Sequence, residues 1–202
     1  MSAMENTIQE KVEFVYSPAR DEEWMFLRES LQDPALMEAP REVFIANMRA
    51  AYLQLVTGAM LKAMGGLGAL RSRVPEVAHN YEVFADAIKG RDPEIERLKG
   101  LYNQAYGSSS NGIHALVPEF NRHTTSGRMS ARSQRVLAEH LTSVAYSMLG
   151  EFERADGGGI FQSRKSVGQR AVGSPAQGAG CMLMILGSIF TITFSIFVKM
   201  KY

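Results

Sequence analysis

Glu76 and His79, within Glu76-Val77-Ala78-His79, have the spacing that puts a carboxylate and an imidazole on one helix face. In helical bundles that hold two iron ions, two such Glu-x-x-His pairs act together with a Glu from each of two more helices. This chain has no second pair. Glu119 and His123 stand four apart, but Pro118 disturbs their turn. Glu76 and His79 are thus metal candidates in an incomplete set, and no metal, cofactor or catalytic residue is assigned. The other histidines, His114 and His140, fall in further separate segments. No His-Glu-x-x-His, Gly-x-Ser-x-Gly or Gly-Lys-Ser/Thr sequence occurs, so zincin, serine-hydrolase and P-loop chemistry find no support. The reading is non-enzymatic.

Arg122, His123, Arg128, Arg132 and Arg135 form the densest basic patch, around a Ser/Thr-rich turn. It is the candidate for an anionic ligand such as a phosphate or lipid headgroup. Its plain reading is a solvated loop and helix start. No aromatic residues interleave with it, as single-strand nucleic-acid binding requires. The 22 basic and 21 acidic residues give a net charge of +1, so nucleic acid is not an expected partner. Cys181 is the only cysteine, which excludes intrachain disulfides and Cys-based zinc sites. At the edge of an apolar run it is a lipidation candidate; its plain reading is a small apolar residue.

Most of these residues fall on a series of predicted helices. Ser17-Pro18 is a cap followed by a proline at the first helical position, and Trp24, Leu27 and Leu31 share one face. Pro34 ends that helix. Pro40 opens a long helix to about Met64, with Phe44, Met48, Ala51, Tyr52, Leu55 and Ala59 in a stripe. Pro75 and Asp92-Pro93 open the next two. Ile113, Leu116, Val117 and Phe120 mark a short helix with a kink expected at Pro118. Ser130 caps the last body helix, to about Phe152. No stretch alternates like a strand. The fold class is therefore all-α, a bundle of five or six helices over residues 17–155. Residues 1–16 are expected to be an N-terminal arm. Residues 156–180, rich in Gly, Ser, Gln and Ala, are expected to be a flexible linker reaching about 25–30 Å. Within it, Ser163-Arg164-Lys165-Ser166 is a basic motif that an anionic leaflet would attract and phosphorylation would oppose.

Residues 181–198, CMLMILGSIFTITFSIFV, carry no charge. As a helix they would span about 27 Å, close to a hydrocarbon core of about 30 Å. A single charge at the centre would cost roughly 2.5–3.5 kcal/mol. Lys199, Lys201 and Tyr202 suit the far interface. The residues MSAMENTIQEKVEF hold no apolar run of signal length, so the body is expected on the cytosolic side.

A helical body with a short C-terminal anchor resembles Bcl-2-type apoptosis regulators. Leu61-Lys62-Ala63-Met64-Gly65-Gly66 is similar to that family's Leu-x-x-x-Gly-Asp core, with Gly66 in place of the acidic residue. The family's Asn-Trp-Gly-Arg signature is absent, and the one tryptophan is Trp24. The resemblance implies a groove that binds a partner's helix.

The leading expectation is a tail-anchored, single-pass protein. Its partners are a lipid bilayer, through 181–198, and a protein, through the helical domain. The membrane is the mitochondrial outer membrane or the endoplasmic reticulum, or else a virion membrane. Three alternatives stand beside it: a Bcl-2-like regulator, a viral matrix or envelope-associated protein, and a membrane-bound metalloenzyme.

Overall fold

The structure, a computed structural model, describes residues 1–65, 72–108 and 112–157. Among these are eight helices and no strand: α1 (Ala3–Tyr16), α2 (Pro18–Leu31), α3 (Pro34–Glu38), α4 (Arg41–Ala63), α5 (Val74–Ile88), α6 (Pro93–Ser108), α7 (Gly112–Thr125) and α8 (Ala131–Ala155). The all-α expectation holds. The bundle is larger than five or six helices because of α1 and α3. Residues 1–16 are not an arm. Ser2 and Glu5 form a capping box that starts α1, and Met4, Ile8, Val12 and Val15 are buried in the common core. Pro34 does more than end α2: Asp33 accepts from the backbone N–H groups of Ala35 and Leu36, and Pro34 opens α3.

The predicted starts form as their residue types require. Ser17 accepts from Arg20 N, Asp92 from Glu94 N, and Ser130 from Ser133 N. Helix α7 runs through Pro118, with Ile113, Leu116, Val117 and Phe120 all buried.

Helix α4 is the exception to the amphipathic pattern. Seventeen of its 23 residues are buried, on every face. Helices α1, α2, α6, α7 and α8 all pack on it. Its polar residues are mostly tied up inside: Asn47 donates to Val43 O at 2.9 Å and accepts from the Tyr102 hydroxyl at 3.0 Å, and Thr57 donates to Leu53 O. Gly58 faces the Tyr106 ring, and a Cβ there would sit 2.7 Å from its oxygen. Glycine is what lets α6 approach α4 so closely. Phe44 of α4 meets Phe120 of α7 edge to face, with centroids 5.6 Å apart.

Arg28 fixes α2 to α3. It is only 6% exposed. Its guanidinium donates to the carbonyls of Leu36, Met37 and Ala39 at 2.9, 2.9 and 2.6 Å. These carbonyls lie at the C-terminal end of α3, where a helix lacks partners of its own. Asp33, also buried, extends the chain of contacts: its second oxygen accepts from Ser130 N at 2.8 Å, at the start of α8. Burial pushes the Asp33 carboxyl up, but the Ser130 N–H and the hydroxyls of Ser133 and Ser130 outweigh it and lower its pKa.

Replacing Arg28 with Ala leaves two buried carbonyls, of Leu36 and Ala39, and the partly buried Met37 carbonyl short of a donor. Each buried group costs about 1–3 kcal/mol, so Arg28→Ala is expected to destabilise the protein by at least about 2 kcal/mol. Urea denaturation followed by circular dichroism measures this; a loss below about 1 kcal/mol would show that the arginine is not what fixes α3.

Candidate functional site

Helices α2 and α8 both pack on α4, and they run antiparallel. Asp33, just past the end of α2, meets Ser130 at the start of α8, whereas His140 lies beside Arg20 and Glu23 near the start of α2. The two helices do not pack closely on one another. An open groove of about 640 Å³ runs along α2, lined by Ala19, Arg20, Glu22, Glu23, Trp24, Phe26, Leu27 and Ser30, with His140 the one lining residue from α8. That volume falls in the usual range of binding sites, about 300–1,000 Å³.

Two buried aromatics support it. Trp24 and Tyr52 pack edge to face with centroids 4.9 Å apart. The Tyr52 hydroxyl and His140 Nε2 share a hydrogen bond of 2.7 Å. The buried Trp24 indole N–H has the Tyr52 hydroxyl as its polar neighbour, and it lowers the Tyr52 pKa against the larger effect of burial. Phe26, by contrast, is 73% exposed. Val136, one turn before His140 on α8, is partly exposed as well. Arg20 closes one end. It stacks on Phe14 at 3.6 Å from the ring centroid and pairs with Glu23.

Burial lowers the His140 pKa; the Arg20 charge lowers it further and Glu23 opposes both. Burial raises the Tyr52 pKa. The pair is therefore a neutral hydrogen bond near pH 7. The hydroxyl of Ser30, which also lines the groove, is donated to Leu27 O rather than to a base. In this groove Ser30 and His140 are not paired as a nucleophile and its base.

The residues singled out in the sequence are dispersed. Glu76 is paired with Arg73 through bonds of 2.7 and 2.5 Å, and Arg73 also binds Asp156 and Met64 O. His79 pairs instead with Glu5 of α1, at 3.0 Å. Glu76 and His79 therefore each serve a separate helix contact. Among the described residues no group of three or more His, Cys, Asp or Glu side chains is placed to hold a metal ion. His114 is exposed on α7, and His123 lies 3.3 Å from Glu119. The basic patch surrounds the α7–α8 turn. Arg122 pairs with Glu119 and Arg128 with Glu38, while Arg132 and Arg135 are exposed on the first turns of α8. Cys181, Gly66 and residues 181–198 lie outside the described residues. Among the described residues no helix is long and apolar enough to cross a membrane.

Sequence reasoning passed over Phe26, Tyr52 with His140, and the groove itself. Phe26 had a signal: a large aromatic off the Trp24–Leu27–Leu31 face, among acidic neighbours. Tyr52 and His140 had none, being 88 residues apart. Compared with protein-family models, with curated proteins and with solved structures, the chain finds no match.

Because the folded His140 titrates below its ordinary value of 6.5, the unfolded chain binds the extra proton first. Stability is therefore full above about pH 6.5 and falls as the pH drops towards the folded value. His140→Gln is expected to flatten this part of the profile. Tyr52→Phe leaves a half-buried imidazole nitrogen unpaired and is expected to cost about 1–2 kcal/mol at pH 7.5. Chemical denaturation between pH 7.5 and 5 checks both; identical slopes for wild type and His140→Gln would show that His140 does not set the profile.

Proposed function

We propose that this protein is a non-enzymatic, tail-anchored interaction module. Residues 181–198 hold it in an intracellular membrane, and the helical body binds a protein partner in the α2–α8 groove. The observation that carries the reading is the uncharged run from Cys181 to Val198, long enough to cross a hydrocarbon core. The body supports it with a groove that mixes Trp24 and Leu27 with charged residues, and with an exposed Phe26.

The groove favours a partner's helix as ligand. It runs along α2 with His140 of α8 at its side, and an amphipathic helix could lay its apolar face against Trp24, Phe26 and Leu27. An enzyme reading has no comparable support, because the one imidazole in the groove is bonded to a tyrosine and not poised against a nucleophile.

Two experiments test the two halves. The full chain is expected to pellet with membranes and to resist extraction by high salt or alkaline carbonate, and deletion of residues 180–202 should move it to the supernatant; a truncated protein that still pellets in high salt would refute the anchor. A photo-reactive amino acid at position 26 is expected to give a discrete adduct with another protein in cells, where the same group at position 97 on α6 gives none. Equal labelling from both positions would refute the groove.

A further inference from the structure

Helices α1 and α2 form the acidic side of this chain. Residues 3–31 hold seven acidic and three basic residues. All three cations are taken up within the fold: Lys11 pairs with Glu151, Arg20 with Glu23, and Arg28 is buried against the carbonyls of α3. Four of the acids are matched as well. Glu5 is bonded to His79, Glu13 to Arg91, Asp21 to Arg49 and Glu23 to Arg20. Glu10, Glu22 and Glu29 remain exposed, and among the described residues no ion pair reaches them.

Two of these three flank Phe26. Glu22 lies four residues before it and Glu29 three after, so all share one face of α2. Phe26 is 73% exposed and sits between two carboxylates that nothing neutralises. Glu139, exposed beside His140 on α8 and also without an ion pair, adds a third. Arg132 and Arg135, exposed at the start of α8, stand towards the other end, by the contact between Asp33 and Ser130.

We infer that the partner of this groove is a cationic amphipathic helix. One of its apolar side chains covers Phe26, and its Lys or Arg residues meet Glu22, Glu29 and Glu139. This rests on the groove being a binding surface and adds the chemistry of what binds there. A helix fits the spacing. Glu22 and Glu29 are seven residues apart, about 10.5 Å along α2, and cations seven apart on a helix laid alongside match them. Exposed ion pairs each contribute little. The carboxylates therefore select the partner, by attracting a cationic helix and repelling an acidic one, while Phe26 and Leu27 supply the apolar contact.

The test uses the full chain in phosphatidylcholine nanodiscs and synthetic, fluorescently labelled helical peptides. The peptides share one length and one apolar face, and carry either Lys or Glu at the flanking positions. Anisotropy titration, corrected with empty nanodiscs, is expected to show the Lys peptide binding about tenfold more tightly than the Glu peptide. Glu22→Lys with Glu139→Lys should abolish that preference, whereas Glu82→Lys with Asp86→Lys, an equal charge change at exposed positions of α5, should leave it. Equal affinity for the peptides, tighter binding of the Glu peptide, or a Lys preference that survives Glu22→Lys with Glu139→Lys would each overturn the inference, as would no binding of either. Should both peptides bind equally and Phe26→Ala weaken both, the groove reading stands and the cationic partner falls. If Phe26→Ala weakens neither, both fall.

Discussion

A 23-residue helix with seventeen buried side chains has no face to turn to water, and the architecture comes from covering it. Tyr52, Leu53, Leu55, Val56, Met60 and Leu61 point in different directions from one axis, and all are essentially inaccessible. Burying each large apolar side chain is favourable by about 1.5–3 kcal/mol. The covering helices are amphipathic and complete the enclosure: α1 with Ile8 and Val12, α6 with Leu98 and Tyr102, α7 with Leu116 and Phe120, and α8 with Leu137, Leu141 and Phe152. Two polar side chains of α4 find partners inside, Asn47 with Tyr102 and Thr57 with its own helix, whereas the amide nitrogen of buried Gln54 has none.

The groove arises from the same requirement. Helices α2 and α8 are both drawn to α4, yet they are fastened to each other only through one end, where Arg28 holds α3 and Asp33 holds the start of α8. Towards the other end they leave Trp24, Tyr52 and His140 beneath an open space. Phe26 therefore stays outside a core that had room for Trp24 and Arg28 from the same helix. Ion pairs tie the opposite side of the bundle together. Lys11 with Glu151 joins α1 to α8, and Arg73 with Asp156 joins the start of α5 to the end of α8.

Much of this was legible in the sequence, for local reasons. Ser17, Asp92 and Ser130 precede helices because their oxygens accept orphan N–H groups, and each does so here. The stripes of α5, α6 and α7 lie on the core side because Val77, Phe84, Ile95, Leu98, Leu116 and Phe120 recur at helical spacing. The stripe assigned to α4 was too narrow, since Leu53, Val56 and Met60 off that line are buried as well. Helix α1 was missed although its signals are local: Ser2 and Glu5 have capping-box spacing, and Met4, Ile8, Val12 and Val15 recur at helical spacing. Arg28 reads as a surface charge until α3 brings three carbonyls to it. The metal candidates Glu76 and His79 share a helix face as their spacing demands, yet Glu76 is taken by Arg73 three residues earlier and His79 by Glu5, a neighbour that spacing cannot name.

If enclosure of α4 is the constraint on which the bundle and its groove depend, α4 must be the last element to open. Native-state hydrogen exchange of the full chain measures this residue by residue. Amides from Met48 to Met60 are predicted to exchange only through global unfolding, while those of α2 around Phe26 exchange through smaller openings. Amides in the middle of α4 that exchange as fast as those of α2 would contradict it.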